Sequence, residues 1–260
     1  MSKIEKTFKK LKQQGKKAFI PYIMAGDPSL EKTIENVRLL EECGADIIEL
    51  GVPFSDPLAD GPTIQRAAER ALAAEVTLKK LIQFVSEIRT FSQVPIVLMT
   101  YYNPIFKYGD ERFVTDAVQA GVDGIIVPDL PPDEAQKLIG ASHSRNLDTI
   151  FLIAPTTTEK RLKTIVKASR GFVYYISITG ITGSKLVLHE TFKEHLALIR
   201  SLTAKPVAVG FGISTPDEAY TVSRLADGVI VGSAIVKKLH ESLGEAKDFI
   251  LALKEAIKRP

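Results

Sequence analysis

The sequence predicts one domain, residues 1–260, built as a (β/α)₈ (TIM) barrel with an extra N-terminal helix and extended loops after strands 2 and 6. Eight short aliphatic segments alternate with helix-like segments along the chain of 260 residues. A helical stretch, a Gly-x-Asp or Ala-Asp turn and an aliphatic run recur in that order at 43–53, 120–131 and 225–233. No Pro/Ser-rich linker marks a second domain. A doubly wound open sheet is the alternative.

The predicted strands are short, nearly continuous apolar runs, as expected for parallel strands that are covered on both faces. They are Ala18–Met24, Asp46–Leu50, Ile96–Tyr101, Gly124–Val127, Thr149–Ile153, Phe172–Ser177, Pro206–Val209 and Gly228–Val231. The glycine ahead of several runs fits the left-handed residue that commonly ends a helix.

Helix-like segments separate these strands: Leu30–Cys43, Leu78–Phe91, Asp110–Ala120, Pro132–Asn146, Glu159–Ala168, Thr191–Leu202, Pro216–Arg224 and Ala234–Leu239. A further helix is predicted before the first strand, because Ile4, Phe8 and Leu11 recur at helical spacing in the basic segment Lys3 to Lys17. We expect this helix to pack on the barrel. A membrane-surface helix is the alternative, which a short apolar face without Trp disfavours.

Two connections are longer than a minimal barrel needs. The first, Pro53 to Val76, has its own helical pattern from Pro62 to Ala74, and the second, Thr179 to His189, is rich in Gly, Thr and Ser. Loops that follow barrel strands lie on the C-terminal face, where active sites are built and where long loops act as lids. Both connections are therefore expected beside a functional site.

Composition narrows the functional classes. The net charge is only +3 and charged residues make up 25%, which does not favour nucleic-acid binding. Cys43 is the only cysteine, which excludes an intrachain disulfide and favours a reducing compartment. No apolar run is long enough for a bilayer and no signal-peptide pattern occurs, so a cytoplasmic protein is predicted. The four histidines show neither metal-ligand spacing nor a catalytic triad, so no metal is predicted.

Glu49 is the first candidate for chemistry. It stands among Ile47, Ile48 and Leu50, where a buried strand would prefer another aliphatic residue. A carboxyl group in that position must find a partner, lose its charge or act as an acid or base. No basic residue occupies a strand end in this prediction, so a catalytic role is favoured over a core ion pair.

Three aspartates near strand ends each keep two interpretations. Asp60 precedes a Gly-Pro pair and fits either a catalytic carboxylate or a helix start. Asp56 stands before a proline and is taken as an Asx turn or an interface residue. Asp129 ends the fourth strand and could serve the site, but the Pro-Pro pair beside it makes helix entry an equal interpretation.

Glycine-rich loops follow the seventh and eighth strands, GFGIS from Gly210 to Ser214 and VGSAIV from Val231 to Val236. Glycine lets a backbone N–H approach a phosphate oxygen, and a helix start adds a favourable dipole. Each glycine could simply permit a tight turn. Their pairing at these two loops, with Ser233 opening a helix, favours a phosphate site, and Gly183 could supply a further N–H.

Aromatic residues fall near the same mouth: Tyr22, Tyr101, Tyr102, Tyr174, Tyr175 and Phe211. Most could belong to the core, but Phe211 stands between two glycines of a phosphate loop and would lie beside any bound ligand. A flat apolar slot, a phosphate site and an ionisable carboxyl together fit an aromatic phosphate ester.

The motif ELGVPFSDPLADGPTIQ (Glu49 to Gln65), with AGDP at Ala25 to Pro28, GITG at Gly180 to Gly183, GFGIS and GSAIV, closely resembles the tryptophan synthase α-subunit family from about Phe8 to the C-terminus. The first motif is highly specific, whereas other phosphate-binding barrels share the phosphate loops. The resemblance implies a (β/α)₈ barrel that cleaves indole-3-glycerol phosphate to indole and glyceraldehyde 3-phosphate by a retro-aldol reaction without metal or cofactor.

The resemblance also implies residue roles. Glu49 would transfer protons at indole C3 and at the neighbouring hydroxyl, and Asp60 would accept the indole N–H, so that two carboxylates in unlike environments divide the labour. Thr182 would close over the substrate, and family members often carry Phe where this chain has Tyr22. The expected substrate-binding residues are Tyr22, Tyr101, Tyr174, Thr182, Gly183, Phe211, Gly212, Gly232 and Ser233.

A partner is implied as well, the tryptophan synthase β subunit, which carries pyridoxal phosphate and receives indole in an α-β-β-α heterotetramer. Pro53, Asp56 and Asn103 match positions expected at that contact. A stand-alone lyase, a phosphate-sugar isomerase and a catalytically silent barrel that only activates β are the alternatives. An isomerase would not need the GVPFSDPLADGP loop, and a silent barrel would lack an acidic residue at position 49 or 60.

Overall fold

The computed structural model describes residues 1–176, 190–210 and 212–259. The strands in these ranges are β1 Ala18–Met24, β2 Ile48–Gly51, β3 Ile96–Met99, β4 Gly124–Ile126, β5 Asp148–Ile150, β6 Leu152–Ile153, β7 Val173–Ile176, β8 Val207–Gly210 and β9 Gly228–Val231. Each strand pairs with its neighbours in parallel.

The strands form one sheet in the order β5-β4-β3-β2-β1-β9-β8-β7-β6. β5 and β6 are consecutive parts of one segment and are separated only by Phe151. Because β5 pairs with β4 and β6 pairs with β7, this segment joins the two edges and the sheet nearly closes on itself. The predicted (β/α)₈ barrel is confirmed, with the fifth predicted strand present as two short pieces.

The helices of the described ranges surround this sheet. They are α1 Lys3–Gln13, α2 Leu30–Glu42, α3 Pro62–Ala73, α4 Leu78–Ile88, α5 Tyr102–Tyr108, α6 Asp110–Ala120, α7 Gln136–Ser144, α8 Glu159–Ala168, α9 Glu190–Leu202, α10 Pro216–Ser223, α11 Ser233–Glu241 and α12 Leu243–Lys258. α3 is the helix predicted inside the long loop after β2. Within the part of the chain that is described, no helix is long and apolar enough to cross a membrane.

The sequence prediction differs from the structure at three helices. It missed α5, a helix of 7 residues whose N-cap makes no side-chain hydrogen bond and so leaves no capping signal. It also missed α12, which follows α11 directly. Ser242 ends α11 and is also the N-cap of α12, where its side chain accepts a hydrogen bond from the Glu245 N–H. The helix predicted from Pro132 begins only at α7, because turns follow the Pro-Pro pair.

The core has two layers. Side chains that point into the barrel form an inner layer, which includes Ile20, Val97, Ile126, Ile150, Ala208 and Ile230, together with buried residues of α1 and α3. Side chains that point outward pack beneath the helices in a second, larger layer. Because the strands are covered on both faces, inward-facing and outward-facing side chains are both apolar. This explains the continuous apolar runs in the sequence. α3 therefore covers the inner layer at one end of the barrel, and α1 covers it at the other.

α1 closes the N-terminal end of the barrel. Ser2 accepts a hydrogen bond from the Glu5 N–H, and the Glu5 side chain accepts one from the Ser2 N–H, which forms a capping box. The buried residues Ile4, Phe8 and Leu11 pack into the inner layer. The prediction that this helix packs on the barrel is confirmed, and its apolar face is covered by the barrel.

Candidate active site

Glu49 lies in β2 with its side chain turned into the barrel. Its exposed fraction is 1%, and its Oε2 atom has no hydrogen-bond partner among the described residues. Alternation along the strand places Ile48 and Leu50 in the outer layer and leaves Glu49 and Gly51 facing inward. Burial, assisted by the charge of Asp60, raises the pKa of Glu49 to about 8. The carboxyl group is therefore mostly protonated near neutrality and close to the point at which it can exchange a proton.

Asp60 reaches the same space from the loop between β2 and α3. Its carboxylate accepts a hydrogen bond from the Tyr101 hydroxyl at 3.2 Å, and that hydroxyl accepts one from the Ala59 N–H at 2.9 Å. Burial raises the pKa of Asp60, and the hydrogen bond from Tyr101 opposes the rise. The N-cap of α3 is Gly61, and no side chain caps this helix. Asp60 is thus held by Tyr101 and does not cap α3.

Glu49 and Asp60 line one cavity of about 230 Å³ at the mouth of the barrel. Apolar and aromatic side chains form most of its wall, and the polar groups are few, as is typical of a site for a small organic ligand. The described residues that line it are Tyr22, Glu49, Asp60, Gly61, Pro62, Thr63, Ile64, Met99, Tyr174, Gly212, Ile213, Ile230, Gly232 and Ser233.

Tyr22 and Tyr174 each lie across a glycine of a neighbouring strand. A Cβ atom added at Gly51 would collide with the Tyr22 hydroxyl, and one added at Gly210 would lie 2.5 Å from the Tyr174 hydroxyl. The pairing of β1 with β2 sets the Cα atom of Tyr22 level with that of Glu49. The Tyr22 ring then extends toward the mouth as far as Gly51, the next inward-facing residue of β2. The two glycines therefore make room for two phenolic rings above Glu49.

Gly212, Gly232 and Ser233 also converge on this cavity. Gly212 has a φ of +77°, a backbone conformation that favours glycine. Gly232 is the N-cap of α11 and Ser233 is its first residue, and no side chain caps the helix. The N–H groups of the first turn are thus left for a ligand, which suits a phosphate group.

Thr63, Ile64 and Met99 line the cavity without having been singled out in the sequence. Thr63 and Ile64 belong to the first turn of α3, and Met99 ends β3 beside its register partner Gly51. The available signal was position, because residues at the C-terminal ends of barrel strands and in the loops that follow face the site.

Of the residues predicted to bind substrate, the described residue Tyr101 does not line the cavity, and the structure does not describe three others. Thr182, Gly183 and Phe211 lie outside the described residues. Tyr101 is buried behind Asp60, where its ring stacks on Phe54 with the centroids 5.1 Å apart. Its observed contact is with the carboxylate of Asp60, so the structure gives it a role in holding that group.

Other residues considered at the mouth face elsewhere. The Tyr175 hydroxyl lies 3.2 Å from Nδ1 of His195 on α9, in the outer layer of the core. The N–H of Tyr102 donates to Asp129 at 2.9 Å. Asp129 therefore holds the start of α5 and does not line the cavity.

The positions expected at a partner contact differ in exposure. Asp56 and Asn103 are exposed, whereas Pro53 is buried. Two large apolar side chains on the same segments are also exposed, Leu58 at 94% and Phe106 at 69%. Contiguous exposed apolar patches with a polar rim mark interaction sites, so these two side chains are where a partner contact would be tested.

A family model described as tryptophan synthase alpha chain matches residues 8–259. The chain belongs to this family. The match includes every site residue named above, from Tyr22 to Ser233, and confirms the resemblance inferred from the motif that begins at Glu49.

Curated members of the tryptophan synthase alpha chain family are similar over nearly their whole length. The tryptophan synthase alpha chain of Geobacter sulfurreducens is 52% identical over 262 residues, which cover 99% of each chain. That of Citrifermentans bemidjiense is 49% identical over 262 residues, covering 99% of this chain and 98% of the relative.

Solved structures agree with the fold. A structure of Mycobacterium tuberculosis tryptophan synthase in space group F222 superposes with a TM-score of 0.93 at 38% identity, covering 100% of this chain and 99% of the other. Tryptophan synthase subunit alpha from Legionella pneumophila str. Paris gives a TM-score of 0.92 at 39% identity, covering 99% and 98%. The prediction of a tryptophan synthase alpha subunit, a carbon–carbon lyase of tryptophan biosynthesis, is thereby confirmed.

Proposed function

We propose that Glu49 and Asp60 catalyse the retro-aldol cleavage of indole-3-glycerol phosphate to indole and glyceraldehyde 3-phosphate. One observation supports this above the others: Glu49 is buried, its Oε2 atom has no hydrogen-bond partner among the described residues, and it faces a cavity that a second carboxylate shares. A pKa of about 8 suits a group that must both give and take a proton near neutral pH.

Glu49 acts first as an acid and then as a base. Its proton adds to indole C3, which leaves a tetrahedral carbon and a positively charged ring nitrogen. The carboxylate then takes the proton from the hydroxyl on the adjacent carbon. The C–C bond breaks, its electron pair returns to the indole ring, and the former hydroxyl carbon becomes the aldehyde of glyceraldehyde 3-phosphate.

Asp60 stabilises the positive charge that develops on the ring nitrogen by accepting the indole N–H. Its hydrogen bond from Tyr101 supports the ionised form and aims the carboxylate. The two carboxyl groups differ in environment, since Glu49 is buried in a strand and Asp60 lies in a loop at the cavity edge. This difference supports an acid–base role for one and electrostatic stabilisation by the other.

The remaining cavity residues bind the substrate. The uncapped start of α11, with Gly212, Gly232 and Ser233, holds the phosphate, and Tyr22 and Tyr174 line the space for the indole ring and glycerol chain. Thr182, Gly183 and Phe211 stay predictions from the sequence. The reaction is an acid–base cleavage that two carboxyl groups can carry, so no metal or cofactor is proposed in this chain.

The proposed partner is a tryptophan synthase β subunit, which uses the released indole in an α-β-β-α heterotetramer. Asp56 and Asn103 are exposed near Leu58 and Phe106, which supports contact at this surface. Pro53 is buried in this chain and would support the loop from within. A cytoplasmic location is proposed from the single-cysteine composition and the biosynthetic reaction.

The experiment is cleavage of indole-3-glycerol phosphate by the purified chain, with and without a β subunit, followed by indole and tryptophan formation. We expect Glu49→Gln to abolish indole release while substrate still binds by calorimetry, and Asp60→Asn to reduce turnover by a factor of about 10² or more. Substantial cleavage by Glu49→Gln would remove Glu49 from the proton-transfer step. Normal turnover by Asp60→Asn would leave Asp60 without a catalytic role.

A further inference from the structure

α3 is the element that brings Asp60 to the cavity, and it is additional to the one helix per strand that a barrel requires. We propose that Asp27 and Arg70 form a positioning pair that holds Asp60 in place through α3. The proposal rests on the role of Asp60 proposed above and concerns how the chain fixes that carboxylate.

The ion pair between Arg70 of α3 and Asp27 after β1 is bidentate. The Nε of Arg70 lies 2.6 Å from Oδ1 of Asp27, and its Nη2 lies 2.7 Å from Oδ2. The side chains of Arg70 and Asp27 are 29% and 8% exposed. In the ranges that the structure covers, this is the only ion pair between α3 and another element. Two parallel hydrogen bonds fix both distance and orientation, which a single ammonium contact does not.

Gln65 connects Asp60 to the same helix. Its side-chain Nε2 donates to the Asp60 carbonyl at 2.8 Å, and its N–H donates to the Gly61 carbonyl at 3.0 Å. The backbone of Asp60 is therefore hydrogen-bonded to the first turn of α3. A shift of the helix at Arg70 would move Asp60, while Tyr101 would still hold its carboxylate from the side of β3.

The apolar face of α3 does not by itself fix the position of the helix along the barrel. Its buried residues are Ile64, Ala67, Ala68 and Ala71. Three of the four are alanine, which has no atom beyond Cβ with which to interlock with a neighbour. Such a face stabilises the contact between α3 and the barrel, but it resists sliding and rotation of the helix only weakly. The directional contact is the ion pair at Arg70, and the alanines set how closely the helix approaches the barrel.

A purely structural salt bridge elsewhere in the barrel provides the matched control. Lys254 of α12 pairs with Asp46 at 2.7 Å, with side chains 11% and 17% exposed. Asp46 also accepts the Phe19 N–H and lies just before β2, at the other end of the strand that carries Glu49. Removal of Lys254 therefore removes a comparable ion pair without touching α3.

The test compares Arg70→Met and Lys254→Met in steady-state cleavage of indole-3-glycerol phosphate by the full chain. A displacement of about 1 Å at a catalytic group can cost a factor of about 10², so we expect Arg70→Met to lower kcat/KM about tenfold, mainly through kcat. Arg70→Lys should recover part of the loss, and Lys254→Met should stay within about twofold of the unsubstituted chain. Urea midpoints show whether the two Met variants are equally folded, and Arg70→Lys replaces Arg70→Met if the latter does not fold.

Combination with Tyr101→Phe separates positioning from general loss of stability. Two residues that act on one carboxylate are not independent, so the loss in Arg70→Met/Tyr101→Phe should differ from the product of the single losses by about threefold or more. Lys254→Met/Tyr101→Phe should be multiplicative. Normal kcat/KM in Arg70→Met, or multiplicative behaviour with Tyr101→Phe, would overturn the positioning role. Failure of the unsubstituted chain to cleave the substrate would instead reject the proposed function.

Discussion

Glu49 and Asp148 are both buried carboxyl groups of this barrel, and they lie near its opposite ends. Asp148, fully buried at the start of β5, accepts a hydrogen bond from the Ser2 hydroxyl, and Nε of Arg170 lies 3.5 Å from its Oδ1. Glu49, 1% exposed near the end of β2, leaves Oε2 without a hydrogen-bond partner among the described residues. Oδ1 of Asp148 likewise has no hydrogen-bond partner among the described residues, so the difference lies in the hydrogen bond from Ser2 to Oδ2 and in the neighbouring Arg170 guanidinium.

The partners change the acidity of the two groups. Burial raises the pKa of Asp148 to about 6, and Ser2 and Arg170 limit the rise. Burial raises the pKa of Glu49 to about 8, and the charge of Asp60 adds to it. The comparison indicates that a hydroxyl donor and a guanidinium hold Asp148 as part of the fold, whereas a buried carboxyl group that faces an open cavity is available for chemistry.

The largest expected effect is on activity. We expect Glu49→Gln to lower kcat by a factor of at least about 10³, or about 4 kcal/mol in the barrier, because an amide cannot donate and accept the proton. Asp148→Asn, the matched change at the other end, should leave kcat/KM within about threefold. Indole release in a discontinuous assay measures both. A large loss in Asp148→Asn with its fold intact would break the distinction between the two groups.

The pH dependence of stability should separate the same two groups. Both pKa values are raised in the folded state, so each group contributes stability below its unfolded pKa and loses it as the pH rises through its folded pKa. For Asp148 this window ends near pH 6, and for Glu49 it ends near pH 8. Between pH 6 and 8 the ionisation of Glu49 should therefore lower the free energy of unfolding by about 2–3 kcal/mol.

Urea unfolding at pH 6 and pH 8 measures this difference. We expect the free energy of unfolding of Asp148→Asn to decrease from pH 6 to pH 8 as in the unsubstituted chain. That of Glu49→Gln should change little between the two pH values. An equal decrease in both variants would mean that Glu49 is already ionised at pH 6, contrary to the burial of its Oε2 atom without a partner among the described residues.

The barrel could be predicted from the sequence because its signals are local. A continuous apolar run such as Ile96 to Met99 indicates a covered parallel strand, and the helical pattern that starts at Pro62 indicates α3 inside a loop. Glu49 stood out for the same reason, since one ionisable residue in an apolar run requires an explanation. The Gly-rich loops that carry Gly212 and Gly232 were recognisable from their place after the last two strands.

The remaining features depend on residues far apart in the chain. The sequence does not show that Ser2 reaches Asp148, 146 positions away, or that Arg70 reaches Asp27, 43 positions away. The position of Tyr101 behind Asp60 depends likewise on how two loops pack together. Short-range patterns therefore identified Glu49 and Asp60, but not Asp148 or the contacts that hold these groups.

The next largest expected effect is on the free energy of unfolding and concerns Ser2, the hydrogen-bond partner of Asp148. Ser2 both caps α1 and donates to Asp148, so Ser2→Ala should lower the free energy of unfolding by about 2 kcal/mol through two lost hydrogen bonds. Ser29→Ala is the matched control, because Ser29 caps α2 through the Lys32 N–H and makes no contact with a buried carboxylate. It should cost only about 1 kcal/mol. Equal losses in the two variants by urea unfolding would show that the Asp148 contact adds nothing.

The smallest expected effect extends the comparison to two helix N-termini. α1 is capped by its own side chains, whereas α11 is uncapped and opens toward the cavity. An aspartate at position 232 would occupy the free N–H groups and repel an anion, so Gly232→Asp should raise KM for indole-3-glycerol phosphate about tenfold, or about 1.4 kcal/mol, with little change in kcat.

Gly232→Ala is the control for the change in backbone and volume. A Cβ atom at this position would lie 3.4 Å from the nearest atoms of Tyr22, an ordinary contact, and the N–H groups of α11 would stay free. Its KM should therefore remain within about threefold of that of the unsubstituted chain. Competition by inorganic phosphate provides a second measurement, since it should weaken in Gly232→Asp and persist in Gly232→Ala. Equal KM values in the two variants would show that the start of α11 does not hold the phosphate, and that a free helix N-terminus at this mouth, unlike a free carboxyl group, carries no function.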